Sequence, residues 1–129
     1  MRAYFDSSAI VKLGNLEAES MALIDYLADG NHSAATSVIA DVEVRRSLER
    51  LRAQGADHFE HLQGFFLIDL SRDIRNRSVA LKPVALRSMD AIHLATALDI
   101  NGDLDFITYD DRLAAAARDA GLRVVQPGR

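Results

Sequence analysis

The sequence predicts an α/β fold, a three-layer α/β/α sandwich around a central parallel sheet. Short apolar segments alternate with helical segments along all 129 residues. Such alternation is typical of strand–helix–strand crossover units, which cover a parallel sheet on both faces. The chain has no internal repeat and no Pro-, Gly- or Ser-rich linker. A single domain over residues 1–129 is therefore expected.

The predicted strands are short runs of apolar or small residues bounded by polar residues or turn formers. Their side chains lack polar alternation, which indicates strands that are buried on both faces. The segment before Tyr109 is the clearest strand in the second half of the chain. The five predicted strands are Arg2–Phe5, Ser33–Thr36, Leu67–Leu70, Asp105–Thr108 and Leu122–Val125.

The predicted helices carry apolar residues at intervals of three and four, and several end near a glycine or a proline. Leu16 is expected in an apolar stripe, Met21 and Met89 are expected in the core, and Ser88 is expected to cap a helix. The predicted helical segments are Ser8–Leu13, Leu16–Ala28, a helix from Ser37, its continuation Gly55–Phe66, Ser71–Leu81, a helix from Ser88, and Arg112–Ala120.

Composition limits the possible functions. The chain has no cysteine, which excludes disulfides and thiolate zinc sites. No apolar stretch is long enough for a signal peptide or a membrane span, so a cytoplasmic protein is expected. The formal net charge is −4, which disfavours a surface that is basic throughout. The arginine clusters at residues 45–52 and 72–77 are interpreted as solvated helix faces, and a local basic face is the alternative.

Four acids fall where an α/β fold gathers its functional groups. Asp6 directly follows the first predicted strand, and Asp110 follows the Asp105–Thr108 strand. Glu43 and Asp90 lie near the beginnings of helices and border their apolar stripes. Because functional groups of parallel sheets gather beyond the carboxyl ends of the strands, all four acids can point toward one end of the molecule.

Each acid also has a purely structural explanation. Asp6 and Asp110 can cap helices. Glu43 can pair with Arg46 for a few tenths of a kcal/mol, and Asp90 can favour the positive end of its helix for under about 1 kcal/mol. Four carboxylates within about 5 Å, however, would repel by roughly 3 kcal/mol per pair at an effective dielectric of 20. Such a cluster requires protons or a cation, and its hard oxygen ligands suit Mg²⁺ or Mn²⁺.

Four segments of the chain resemble the PIN-domain ribonucleases, and most of all the VapC toxins of bacterial toxin–antitoxin pairs. The similarity runs end to end, and the pairing of DAIHLATA with a TYD strand end is its most specific part. The segments are DSSA at Asp6–Ala9, IADVEVRRSL around Glu43, MDAIHLATA at Met89–Ala97 and ITYDDRLAAAA at Ile107–Ala117.

The resemblance implies an acidic quartet of Asp6, Glu43, Asp90 and Asp110 that binds Mg²⁺, with Mn²⁺ as the alternative ion. It implies supporting hydroxyl groups at Ser7 and Thr108. The similar proteins commonly have a single acid before the arginine that corresponds to Arg112, so Asp111 competes with Asp110, and strand alternation favours Asp110.

The implied reaction is hydrolysis of RNA phosphodiester bonds by an activated water, which leaves 5′-phosphate and 3′-hydroxyl ends. Lys12, Arg87 and Arg112 are predicted to contact RNA phosphates, because they lie next to the segments that carry the acids. His93 is interpreted as a structural or supporting residue rather than a metal ligand. His58 and His61 are interpreted as solvated.

The resemblance also implies a cognate VapB-like antitoxin, a homodimer, and an inhibitor-binding surface within residues 37–66. Two other interpretations of the sequence compete with this resemblance. A non-catalytic PIN-like binding module for RNA or protein would keep the acids without using a cation. A phosphotransfer or phosphatase fold would need a second acid at Ser8, or a lysine after a late strand, and the chain has neither.

Overall fold

The computed structural model describes residues 1–30, 32–55 and 64–129. Within them, five parallel strands form one sheet in the order β3-β2-β1-β4-β5. This confirms the predicted α/β fold with a central parallel sheet. The strands are β1 (Arg2–Phe5), β2 (Ser33–Ser37), β3 (Phe66–Ile68), β4 (Leu104–Ile107) and β5 (Arg123–Val125).

Helices connect these strands and cover the sheet. Part of the segment between β2 and β3, residues 56–63, lies outside the described residues, and so do most of the predicted helix Gly55–Phe66 and both His58 and His61. The described helices are α1 (Ser7–Gly14), α2 (Ser20–Gly30), α3 (Ile39–Ala53), α4 (Arg72–Ala80), α5 (Ser88–Leu98) and α6 (Asp111–Asp119).

Successive residues of β1 enter different cores, which demonstrates the three-layer arrangement. Phe5 packs with residues of α1, α2 and α3, including Ile10, Leu23 and Leu48. Tyr4 packs on the opposite face with residues of α5, β4 and α6. Side chains alternate across a strand, so each face of the sheet buries its own apolar layer. Burial of each large apolar side chain contributes about 1.5–3 kcal/mol.

The register of the two central strands determines where their polar ends meet. Phe5 of β1 lies beside Ile107 of β4. The backbone N–H of Asp6 donates to the carbonyl oxygen of Ile107 over 3.1 Å. The residues that follow these two strands, Asp6 and Thr108, therefore emerge side by side at the carboxyl edge of the sheet.

At the amino-terminal side, the predicted start of one helix and two predicted apolar positions are wrong. Helix α2 begins at Ser20 instead of Leu16, and Leu16 is 77% exposed. The Ser20 hydroxyl explains the late start, because it accepts from the Glu17 N–H and donates to the Asn15 carbonyl oxygen, which holds the preceding residues in a turn. Met21 is also exposed rather than in the core.

Three further expectations fail at α5 and β3. Ser88 is the first residue of α5 and not its cap, since Arg87 occupies the capping position without a side-chain hydrogen bond. Met89 is 39% exposed because it faces away from the apolar stripe that begins at Ala91. Strand β3 spans Phe66–Ile68, where it pairs with β2, and the chain leaves the sheet before Leu70. Among the described helices, none is long and apolar enough to span a membrane.

Candidate active site

Asp6 is buried at the carboxyl end of β1, where it both caps α1 and enters a polar cluster. Its Oδ1 accepts from the Ala9 backbone N–H over 3.0 Å and from the Ser8 hydroxyl over 2.7 Å. Its Oδ2 accepts from the Thr108 hydroxyl over 2.6 Å. Burial raises the pKa of Asp6, and these hydrogen bonds only partly oppose that shift. Capping alone therefore does not compensate this carboxylate.

Thr108 links Asp6 to Asp110. Its Oγ1 donates to Asp6 and accepts from the Asp110 backbone N–H over 3.1 Å. Asp110 caps α6, because its Oδ1 accepts from the backbone N–H groups of Arg112 and Leu113 over 2.9 and 3.0 Å. The predicted supporting position of Thr108 beside the first acid agrees with this geometry.

Asp111 differs from its neighbour in exposure and in partner. Its side chain is 88% exposed and pairs with Arg129 at 3.4 Å. Asp110 instead lines, together with Asp90, a cavity of about 690 Å³. Asp111 also lines that cavity, but its side chain is exposed and ion-paired. The geometry favours Asp110 as the fourth acid of the site.

Asp90 lies in the first turn of α5 and is partly buried. Burial raises its pKa, and the negative charges of Asp110, Asp6 and Glu43 raise it further. The four predicted acids therefore lie near enough to act on one another electrostatically, although they come from four distant parts of the chain.

Glu43 is held by Ser7 and His93, two residues that the sequence indicated as supporting residues but not as partners of this acid. Its Oε1 accepts from the Ser7 hydroxyl over 2.6 Å and lies 2.8 Å from Nε2 of His93. Burial acts to raise the pKa of Glu43, but the hydrogen bonds from His93 and Ser7 outweigh it and leave the pKa lowered. The anticipated surface pair with Arg46 is thus replaced by an inward-facing hydrogen-bond network.

The chemistry and spacing of these oxygens determine whether they can bind a cation. The donor set consists of hard carboxylate and hydroxyl oxygens, which suits Mg²⁺ or Mn²⁺. In residues 1–30, 32–55 and 64–129, however, no three Asp, Glu, His or Cys side chains are grouped closely enough to hold one ion as they stand. The acids fit a cation in chemistry and charge, and ligation would require them to move closer together.

The three predicted phosphate contacts have different surroundings. Arg87 and Arg112 are exposed and line the same cavity as Asp90 and Asp110. Lys12 is 8% exposed, and its Nζ pairs with Glu17 at 3.2 Å and with Glu19 at 3.1 Å. A buried ammonium with two carboxylate partners is already neutralised, so this placement does not support the predicted role of Lys12 as a phosphate contact.

Comparison with known proteins identifies the family. A PIN-domain family profile matches residues 3–119. The chain therefore belongs to the PIN-domain family. Ribonuclease VapC46 of Mycobacterium tuberculosis is 41% identical to this PIN domain, with 96% of each chain covered. Ribonuclease VapC35 of the same organism is 37% identical over 98% of this chain and 97% of the relative. These matches confirm the resemblance seen in the sequence.

Solved structures with the same fold include two assemblies. A chain of VapBC2 from Rickettsia felis, bound to a DNA fragment from its promoter, matches with a TM-score of 0.64 and 15% identity over 98% of this chain and 99% of that chain, which supports the fold alone. A toxin–antitoxin complex from Klebsiella pneumoniae matches with a TM-score of 0.63 and 30% identity over 95% of each chain. PIN-domain ribonucleases of the VapC type are generally metal-dependent.

Proposed function

We propose that this PIN domain is a Mg²⁺-dependent endoribonuclease that acts as the toxin of a type II toxin–antitoxin pair. The observation that carries the proposal is that Thr108 joins Asp6 to Asp110 through hydrogen bonds at the carboxyl edge of the sheet, and that Asp110 lines the same cavity as Asp90. The relatives that cover nearly the whole chain are named ribonucleases, and they support the reaction class.

The residues of the chain divide the work at this edge. Asp6, Asp90 and Asp110 would hold the ion. Hydrogen bonds from Thr108 and Ser8 orient Asp6. The hydrogen bond that Asp110 accepts as the cap of α6 orients its carboxylate. Glu43 would orient the attacking water through Oε2, because Oε1 accepts the bonds from Ser7 and His93. The bound cation would supply Lewis acidity and offset the charge that develops on the phosphoryl oxygens.

RNA would approach the cavity past Arg87 and Arg112. Both side chains are exposed at the rim, where a guanidinium can bind a phosphate through two hydrogen bonds. Because water and not the ribose 2′-hydroxyl is the nucleophile, each cut would leave a 5′-phosphate and a 3′-hydroxyl. The net charge of −4 restricts this attraction to a local surface.

A VapB-like antitoxin is the proposed protein partner, since the two solved neighbours belong to VapBC and toxin–antitoxin assemblies. Helix α3 offers a surface of suitable chemistry, with the exposed Val42 beside Arg45 and Arg46. Co-expression with the cognate antitoxin should give a stable complex in which RNA cleavage is suppressed. The predicted homodimer would be measured on the same samples by light scattering.

Incubation of the purified, antitoxin-free protein with total RNA tests the activity. Cleavage should require Mg²⁺, stop with a chelator, and resume when Mg²⁺ is restored. Mapping of the fragment ends should find 5′-phosphates. The Asp90→Asn variant is the matched control, because it preserves side-chain shape while removing one charge of the acidic quartet.

Cleavage that persists in Asp90→Asn, or in the presence of chelator, would contradict the proposal and indicate a contaminating nuclease. If no RNA is cut and calorimetry detects no Mg²⁺ or Mn²⁺ binding to the wild type, the chain is instead a non-catalytic PIN-like binding module.

A further inference from the structure

A line of hydrogen bonds runs from the centre of the sheet to Glu43. The Tyr4 hydroxyl lies 2.7 Å from Nδ1 of His93, and Nε2 of His93 lies 2.8 Å from Oε1 of Glu43. Tyr4 and His93 are both buried, and their rings meet edge to face with centroids 5.8 Å apart. His93 therefore has little freedom to rotate away from Glu43.

The partners determine which ring nitrogen carries a proton. A carboxylate can only accept, so Nε2 must donate to Glu43. The Tyr4 hydroxyl carries a proton that it can donate. When this hydroxyl donates a hydrogen bond to Nδ1, that nitrogen acts as the acceptor and carries no proton. The ring proton then lies on Nε2. Tyr4 thus selects the tautomer that can hold Glu43.

The bonds that reach Glu43 converge on one of its oxygens. Ser7 donates to Oε1 over 2.6 Å, and Nε2 of His93 contacts the same atom and also lies 3.2 Å from the Ser7 oxygen. With Oε1 fixed from two directions, the plane of the carboxylate is set, and Oε2 takes neither bond. Other buried partners of metal-site carboxylates act in this way and tune the site without touching the ion.

We propose that His93, held in its Nε2-protonated form by Tyr4, is a positioning residue that fixes Glu43 for the cation site. The inference rests on the proposed function, because it assigns Glu43 a task in that site. It goes further by extending the site to the interior of the sheet. Tyr4 lies in β1, and Asp6 directly follows that strand. The strand that leads to one acid therefore also supplies the residue that holds His93 against a second acid.

Calorimetric titration with Mn²⁺ tests the inference on metal-free protein. His93→Phe keeps a buried ring but removes the donor, and it should weaken Mn²⁺ binding by about 10–100-fold. His93→Gln restores an N–H group and should recover most of the affinity. Leu94→Ala is the matched control, because Leu94 is the buried neighbour of His93 on α5 and packs in the apolar layer with Phe106. It should lower the melting temperature while leaving Mn²⁺ affinity unchanged.

The imidazole ¹⁵N chemical shifts give a readout that requires no metal. The wild type should show His93 protonated at Nε2, and Tyr4→Phe should lose this preference. Equal Mn²⁺ affinity in the wild type and His93→Phe, or a His93 protonated only at Nδ1, would overturn the inference. A wild type that binds no Mn²⁺ would instead overturn the proposed function, while the ¹⁵N shifts would still decide the tautomer.

Discussion

Buried or partly buried carboxylates lie near both ends of strand β4, in opposite electrostatic environments. At the amino end, Asp105 accepts from the Tyr26 hydroxyl and from Nε of Arg123, and Nε2 of His32 lies 3.6 Å away. Burial opposes its charge, but these partners lower the pKa of Asp105 overall. At the carboxyl end, burial raises the pKa of Asp6 and of Asp90, and the neighbouring acids raise the pKa of Asp90 further.

This difference separates a structural acid from a functional one. The chain provides Asp105 with its own cation, so that the charge is compensated as soon as β4 pairs with β5. At the other end, the hydrogen-bond partners of the acids are mainly hydroxyl and N–H groups, and their neighbours include other acids. A buried charge that the fold leaves uncompensated is typical of a site designed for a ligand of opposite sign.

The largest contrast is expected in catalysis. Asp6→Asn should lower the rate of RNA cleavage by at least about 100-fold, the scale on which loss of one preorganised charged or polar group acts. Its fold should persist, because asparagine is also a good helix cap. Asp105→Asn should leave the rate per folded molecule unchanged. Rates normalised to folded protein by circular dichroism would measure both, and a catalytic loss in Asp105→Asn would break the comparison.

The contrast in stability should run the other way. Asp105→Asn should reduce the free energy of unfolding by about 1–3 kcal/mol, because it weakens the hydrogen bonds from Tyr26 and Arg123 inside a buried cluster. Urea denaturation with chelator present would measure this loss, with Asp103→Asn as a control at a neighbouring exposed acid. A loss equal to that of the control would show that the compensated acid contributes nothing.

The pH dependence of stability should differ in sign between the two ends. The pKa of Asp90 is raised above 3.8, so the stability it contributes is present below that value and is lost as the pH rises through the raised pKa. Asp90→Asn should therefore stabilise the metal-free protein at neutral pH by up to about 1 kcal/mol, and the gain should vanish on acidification. Thermal melts in chelator from about pH 8 to about pH 4 would follow the gain.

Asp105 provides the opposite curve. Its pKa is lowered below 3.8, so its contribution is present above that value and is lost only as the pH falls through the lowered pKa. The destabilisation caused by Asp105→Asn should accordingly stay constant through the range in which the Asp90→Asn gain disappears. Parallel curves for the two variants would contradict the assignment of opposite shifts.

The smallest expected effect concerns RNA affinity. Arg112→Ala should weaken RNA binding severalfold and reduce the salt dependence of binding by about one ion, as expected for loss of a single phosphate contact. Arg118→Ala is the matched control, because it removes an exposed arginine from the last turn of the same helix. Fluorescence anisotropy with a cleavage-deficient Asp6→Asn background would measure both, and equal affinities would refute a role for Arg112.

The positions of the four acids could be predicted because they depend on local rules. Asp6 and Asp110 follow strands, and parallel strands end at one edge. Partners across the sheet could not be predicted in the same way. The pairing of Tyr4 with His93 joins residues 89 positions apart, and neither periodicity nor capping indicates it. The ion pairs of Lys12 could not be predicted for a related reason, because they depend on how the turn before α2 folds back.

The pairing of β1 with β4 also has a consequence for the timing of activity. Asp6 is near the beginning of the chain, and its partner Thr108 is 102 residues further on. A protein folds from its amino terminus while it is still being synthesised. On the ribosome, the growing polypeptide holds Asp6 and Glu43 but lacks the strand that completes their surroundings. The surroundings of Asp6 therefore cannot be complete before Thr108 has been synthesised.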